Sequence, residues 1–183
     1  MNPVDILKDT CRPGSLLYEV LMRHGEQVAR KSLDIAESVS SVPLDRNFIY
    51  EAALLHDIGV CKTNAPLIGC YGRAPYICHG ILGRHMLDNL GLTAHGLVSE
   101  RHTGAGLTAE NIKNNHLPLP CRDMVPVTIE EKIICFADKF FSKKPGSDTR
   151  EKSFDEVLYG LEKLDKGHAM RFLLFCDELA YTQ

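Results

Sequence analysis

The stretch Glu51-Ala-Ala-Leu-Leu-His-Asp-Ile-Gly59 constrains the fold more than any other part of the chain. From Ala52 to Leu55 it is apolar on every side. A helix of that kind is buried all round, so other elements must wrap it. The stretch closes on an imidazole beside a carboxylate, His56 and Asp57. A buried position tolerates such groups only when they are paired or coordinate a cation. Asp57 alone reads as a solvated carboxylate at a helix end, but the helix dipole disfavours a negative charge there.

Elsewhere the hydrophobic period is helical, and no segment shows convincing strand alternation, so the fold class is all-α. A short helix is expected over residues 3–10, stopped by Arg12-Pro13-Gly14. Ser15 caps a long helix to residue 38. Its apolar face carries Leu17, Leu21, Val28 and Ile35, and His24 shares that face. Taken alone, His24 reads as a core histidine with a hydrogen-bond partner or a metal. Asp45 caps a second helix over 46–58, ended by Gly59 as a C-cap.

Residues 60–76 form a turn-rich loop offering Lys62 and Arg73 as cations, each of which also reads as a solvated surface charge. A third helix over 77–90 has Ile81, Leu82, Met86, Leu87 and Leu90 on its buried side. His79 falls on that side and His85 well off it. A fourth helix over 93–102 ends in His102, with His95 a weaker competitor near the same face. Thr108 caps a short helix to residue 115, and residues 117–126 are too rich in proline for regular structure.

Thr128 starts a helix whose third position is Glu131, the pattern of a capping box. Its apolar side holds Ile134, Ala137 and Phe141, with Asp138 among them. A carboxylate on a buried helical face must be paired or bind a cation. Residues 143–148 read as a surface linker, and two further helices follow over 153–165 and 167–181. Those two show packing residues and no obvious chemistry, facing the main bundle or a second copy of it.

Several classes are excluded by what is missing. The net charge is −3 and no basic patch appears, which argues against a nucleic-acid polymer as partner. No stretch reaches the ~20 apolar residues of a membrane span. No basic leader followed by an apolar run appears at residue 1, so the expected location is cytoplasmic. Seven cysteines without C-x-x-C spacing read as reduced thiols rather than a disulfide framework or zinc ribbon. There is no Walker-type loop and no dinucleotide fingerprint. At 183 residues, a single domain spanning 1–183 is expected.

Four imidazoles and two carboxylates then stand on inward faces: His24, His56, Asp57, His79, His102 and Asp138. That donor set suits divalent iron or manganese, with zinc, magnesium, nickel and cobalt also compatible. Six donors exceed one four-coordinate site and match two ions, with Asp57 as the natural bridge.

The same residues resemble the HD superfamily of metal-dependent phosphohydrolases. His24, His56-Asp57 and Asp138 match its metal ligands, Ile58-Gly59 completes the His-Asp-Ile-Gly form, and His79 and His102 match the extra histidines of its two-metal branches. Glu131-Lys-Ile-Ile-Cys-Phe-Ala-Asp138-Lys and Arg101-His102-Thr-Gly104 are similar to the branch that cleaves diadenosine tetraphosphate symmetrically. The run Glu100-Arg-His-Thr-Gly-Ala-Gly-Leu-Thr-Ala-Glu110 resembles a group of small HD proteins. Val60 stands where the cyclic-dinucleotide branch usually carries Lys, and no Gly-Tyr-Pro occurs. The resemblance covers about residues 16–145, leaving 146–183 as a C-terminal helical extension. It implies an HD-domain helical bundle with the metal site between central helices. It also implies an enzyme, a phosphohydrolase acting on a small phosphate ester or nucleotide through metal-activated water. Asp57 would handle the proton, while Lys62, Arg73 and Arg101 bind substrate and neutralise phosphoryl charge. A catalytically silent nucleotide-binding module is the alternative, and a homodimer is compatible with either.

Overall fold

Side-chain caps mark most helix starts. The computed structural model describes residues 2–40, 42–143 and 150–181. Among them nine α-helices run in the order α1 Pro3–Thr10, α2 Leu16–Ser38, α3 Arg46–Leu55, α4 His79–Asn89, α5 Thr93–Arg101, α6 Ala109–Asn114, α7 Ile129–Asp138, α8 Phe154–Leu164 and α9 Lys166–Glu178. Asn2, Ser15, Asp45, Thr108, Thr128, Ser153 and Asp165 each accept a backbone N–H of the helix they precede. Each such cap contributes about 1 kcal/mol to helix stability.

The expected all-α class holds. Two very short strands, β1 Asn64–Ala65 and β2 Cys70–Tyr71, pair antiparallel inside the loop after α3. Two residues each are too few to show alternation in a sequence.

Around α3 the core closes. Ile49, Ala52 and Ala53 are wholly buried, and they join one cluster with Val28 and Ile35 of α2, Val98 of α5, Ile133 and Phe136 of α7 and Phe172 of α9. Phe136 stacks on Phe172 at 4.4 Å with the rings 11° apart, which ties α9 to α7. Truncating either phenylalanine to alanine would cost about 3–5 kcal/mol.

Three local expectations need correction. The second helix ends at Leu55 rather than continuing to residue 58, and Ile58–Lys62 is a tighter 3-10 turn. Gly59 is not a left-handed helix cap: a Cβ there would lie 2.1 Å from the His79 carbonyl oxygen and 2.3 Å from the Gly83 nitrogen, so glycine is needed for close approach to α4. Glu131 does not close a reciprocal capping box. Its carboxylate accepts instead from the Val127 N–H and from Arg101.

Of the expected surface linker, residues 144–148 lie outside the described residues. Lys143 does not belong to a surface, because its ammonium turns inward.

Candidate metal centre

Helix ends carry much of the site. His56 and Asp57 follow α3, His79 opens α4, His102 follows α5 and Asp138 closes α7. His24 sits inside α2. The break after Leu55 is what lets neighbours in sequence share a target. On a continuous α-helix His56 and Asp57 would point about 100° apart. Instead Asp57 adopts φ −102°, ψ 8°, and both side chains enter the same buried space.

All six side chains are buried, and they form two groups that share one residue. His24, His56, Asp57 and Asp138 make the first, and Asp57, His79 and His102 the second, with the candidate atoms of each group within 4.8 Å of one another. The two carboxylate oxygens of Asp57 divide between them. Oδ2 lies 3.3 Å from His24 Nε2 and 3.1 Å from His56 Nε2. Oδ1 lies 3.5 Å from His79 Nε2 and 3.4 Å from His102 Nε2. Asp138 Oδ1 approaches His24 Nε2 at 2.8 Å.

Ring orientation is set by the backbone. Nδ1 of His56, His79 and His102 lies 2.6, 2.8 and 2.7 Å from the carbonyl oxygen three residues earlier, on Ala53, Tyr76 and Ser99. Nδ1–H donates to each carbonyl, which turns Nε2 inward; in His79 and His102, whose rings are neutral, that Nε2 is a lone pair. His79 Nε2 and His102 Nε2 then face each other at 3.1 Å. Two opposed lone pairs repel unless a cation lies between them or beside both. His56 Nε2 and Asp57 Oδ1 are buried without a hydrogen bond. Paired lone pairs and unpartnered buried polar atoms are the chemistry of a divalent-metal site.

Electrostatics agree with that chemistry. Burial lowers His24 to about 4, with Lys143 adding to the effect. Burial and the His102 ring lower His79 to about 3. Burial also lowers His102. These rings are neutral at pH 7, the form that ligates metal. His56 runs the other way: burial opposes its charge, but Asp57 and Asp138 outweigh burial and raise it to about 9. Asp57 and Asp138 fall well below the carboxylate range despite burial, Asp57 through His56 and Lys143, Asp138 through Lys139 and Lys143.

His79, His102 and Asp138 of the cluster line a cavity of about 820 Å³. Leu67, Tyr76, Phe141 and Leu164 give it apolar walls. The cations there are Lys139, Lys143 and Lys152. Lys143 donates to Asp57 Oδ2 and sits 3.4 Å from His24 Nε2. Lys139 donates to Asp138 Oδ2 and to the His102 carbonyl.

The cations expected from sequence stand elsewhere. Lys62 and Arg73 are exposed, and neither lines the cavity. Lys62 is a neighbour of Cys11 and Cys61 instead. Arg101 spends its Nη1 on both oxygens of Glu131, at 2.9 Å each. Lys139 and Lys143 were legible only as residues close after Asp138 in the chain, a faint signal until the fold shows where they turn.

The HD domain family is matched over residues 21–142. The chain belongs to the HD domain family. Its fold is thus of the metal-dependent phosphohydrolase type, and the buried His/Asp cluster is consistent with divalent-metal binding. An uncharacterized protein of Methanocaldococcus jannaschii is 31% identical over 182 residues, covering 96% of this chain and 94% of its own length. A tRNA (cytidine(56)-2'-O)-methyltransferase of Picrophilus torridus is 38% identical over 125 residues, 68% of this chain and 32% of that protein. A Thermoplasma volcanium protein of the same name is 28% identical over 176 residues, 89% of this chain and 47% of that protein. The HD chain therefore spans about a third to a half of these longer relatives. No solved structure matches it. Among the described residues, no helix is long and apolar enough to cross a membrane.

Proposed function

We propose that this HD protein is a metal-dependent phosphohydrolase acting on a small phosphate ester, with nucleotides the leading class. One observation carries the reading: Asp57 presents one oxygen to each of two buried donor groups, and His79, His102 and Asp138 of those groups line a cavity together with Lys139, Lys143 and Lys152. In this reading His24, His56 and Asp138 would hold one divalent ion and His79 and His102 a second, with Asp57 able to offer an oxygen to each. Iron or manganese suits such a mixed nitrogen and oxygen set. Ions bound there would lower the pKa of water and neutralise charge on phosphoryl oxygens.

The chain's own residues do the remaining work. Lys139 and Lys143 place ammonium groups beside the carboxylates, where they meet the charge that develops on a phosphoryl group. They take the role that sequence proximity suggested for Lys62, Arg73 and Arg101. In this reading Asp57 or a substrate oxygen takes the proton of the attacking water. The apolar walls hold the organic part of the ester and keep bulk water from the cluster. A volume of about 820 Å³ is ample for a mononucleotide.

A second reading is a nucleotide-binding module without turnover. It is favoured by the two relatives named for methyl transfer to tRNA rather than for hydrolysis.

Elemental analysis of the purified protein, followed by assays on an aryl phosphate, a bis-aryl phosphate and a nucleotide panel, separates the two. The hydrolase reading expects bound metal and turnover that both vanish in His56→Ala and Asp57→Ala. Full metal content and full turnover in both variants would sink it. Bound metal with no turnover on any substrate supports the binding module.

A further inference from the structure

The α8–α9 pair lies beyond residue 142, where the family match ends. Its sequence showed no chemistry, yet α9 reaches the turn that leaves His102. Arg171 Nε donates to the Ala105 carbonyl at 3.0 Å, and Nη2 donates to the Gly106 carbonyl at 2.9 Å and to Asn111 Oδ1 at 3.2 Å. His168 Nδ1 accepts the Ala105 N–H at 3.2 Å and lies 3.1 Å from Arg171 Nη2. The 103–106 turn is thus held by both its amide and its carbonyl groups.

This turn has little stiffness of its own. Gly104 and Gly106 adopt φ of 62° and 85°, the left-handed region that glycine enters freely. Packing supplies what the backbone lacks: a Cβ on Gly104 would stand 2.7 Å from His168 Cε1. Ala105 and Gly106 are buried, so their carbonyls would lack partners without the guanidinium. The turn begins one residue after His102, and its Thr103 and Gly104 line the cavity. Cys135 of α7 and Lys139 just after it also donate to the His102 carbonyl.

We infer that Arg171 and His168 are positioning residues for His102, which makes the C-terminal helices part of the site rather than an appendage to it. The inference rests on the metal-centre reading only for its metal readout. Outer partners of this kind usually change metal affinity by about 10–100-fold when removed.

The test uses the full chain with Arg171→Ala, Arg171→Lys and His168→Gln. Metal titration followed by elemental analysis reads the two ions. The expected result for Arg171→Ala is about 10–100-fold weaker binding of one ion, with the other unchanged. Arg171→Lys keeps a cationic donor and should recover part of the loss. Equal weakening of both ions with a lower melting temperature would show a general packing role and overturn the inference, as would unchanged binding in all variants.

A second readout needs no metal. In the metal-free protein, the His102 side-chain ¹⁵N resonance should move in Arg171→Ala and in His168→Gln while that of His24 stays. A fixed His102 resonance overturns the inference by itself. If the parent protein binds no second ion, the two-metal reading fails separately, and the His102 resonance decides the positioning role.

Discussion

The two halves of the cluster are built differently. His24 and Asp138 lie within α2 and at the end of α7, helices locked into the main apolar core. His79 and His102 hang from the start of α4 and the exit of α5, oriented by the carbonyls of Tyr76 and Ser99 and, on the His102 side, by α9. A helix interior holds a side chain through many packed neighbours. A helix end relies on a few hydrogen bonds, each worth about 1 kcal/mol. His24 is therefore held by the bundle, while His56, His79 and His102 depend on the connections between its helices.

Asp57 belongs to both halves, so its loss should have the largest effect. Asp57→Asn is expected to lower turnover by about 10³-fold and to strip both ions, checked by elemental analysis beside an aryl phosphate assay. Retention of one ion would mean that the halves do not share the carboxylate.

Lys143→Met comes next. If the proposed phosphohydrolase reading holds, removing this preorganised cation should lower kcat by about 10²-fold, with a smaller change in KM. An unchanged kcat would return the charge-neutralising role to some other group.

His102→Ala and His24→Ala break the comparison directly. His102→Ala should lose one ion, keep the other and reduce activity by about 10–100-fold. His24→Ala should lose the opposite ion. Identical metal loss in the two variants would show a single cooperative site.

Acid should weaken the metal-free fold over a defined range. His24 and His79 titrate at about 4 and about 3 in the folded chain, against an ordinary value of about 6.5. Between those limits the unfolded chain binds more protons than the folded one, so stability falls as pH drops from about 6.5 toward 4. His56 has the opposite sign: its contribution is complete below about 6.5 and is lost as pH rises toward about 9. Melting temperatures at pH 4.5, 6.5 and 9 should therefore peak at the middle value. A monotonic rise to pH 9 would mean that His56 is not held protonated.

The smallest effect is expected at Lys62 and Arg73. Alanine at either exposed position should change stability by less than about 0.5 kcal/mol and leave kcat/KM within about twofold. A tenfold loss of kcat/KM would bring these side chains to the substrate after all.

The all-α class and the inward placement of His24, His79 and Asp138 were legible because both depend on one local quantity, the helical period. A histidine or aspartate in phase with leucines must face inward, as His24, His79 and Asp138 do. The caps at Ser15, Asp45 and Thr128 were legible for a similar reason, since a cap is a contact across about three residues. Gly59 was marked correctly as special but for the wrong reason: its need is set by α4, twenty residues downstream, through a close approach that no local pattern encodes.

What the tertiary structure decided was which charges meet. Lys62 is near His56 in the chain and turns to the cysteines, while Lys143 is far from Asp57 in the chain and donates to it. Arg101 stands beside His102 and is consumed by Glu131, whereas Arg171 lies in a stretch without evident chemistry and holds the turn that follows His102. The inward placement of the candidate donors was readable because burial of a polar side chain follows from its phase on one helix. The choice of counter-ion and support was not, because a long flexible side chain is placed by contacts between helices distant in sequence.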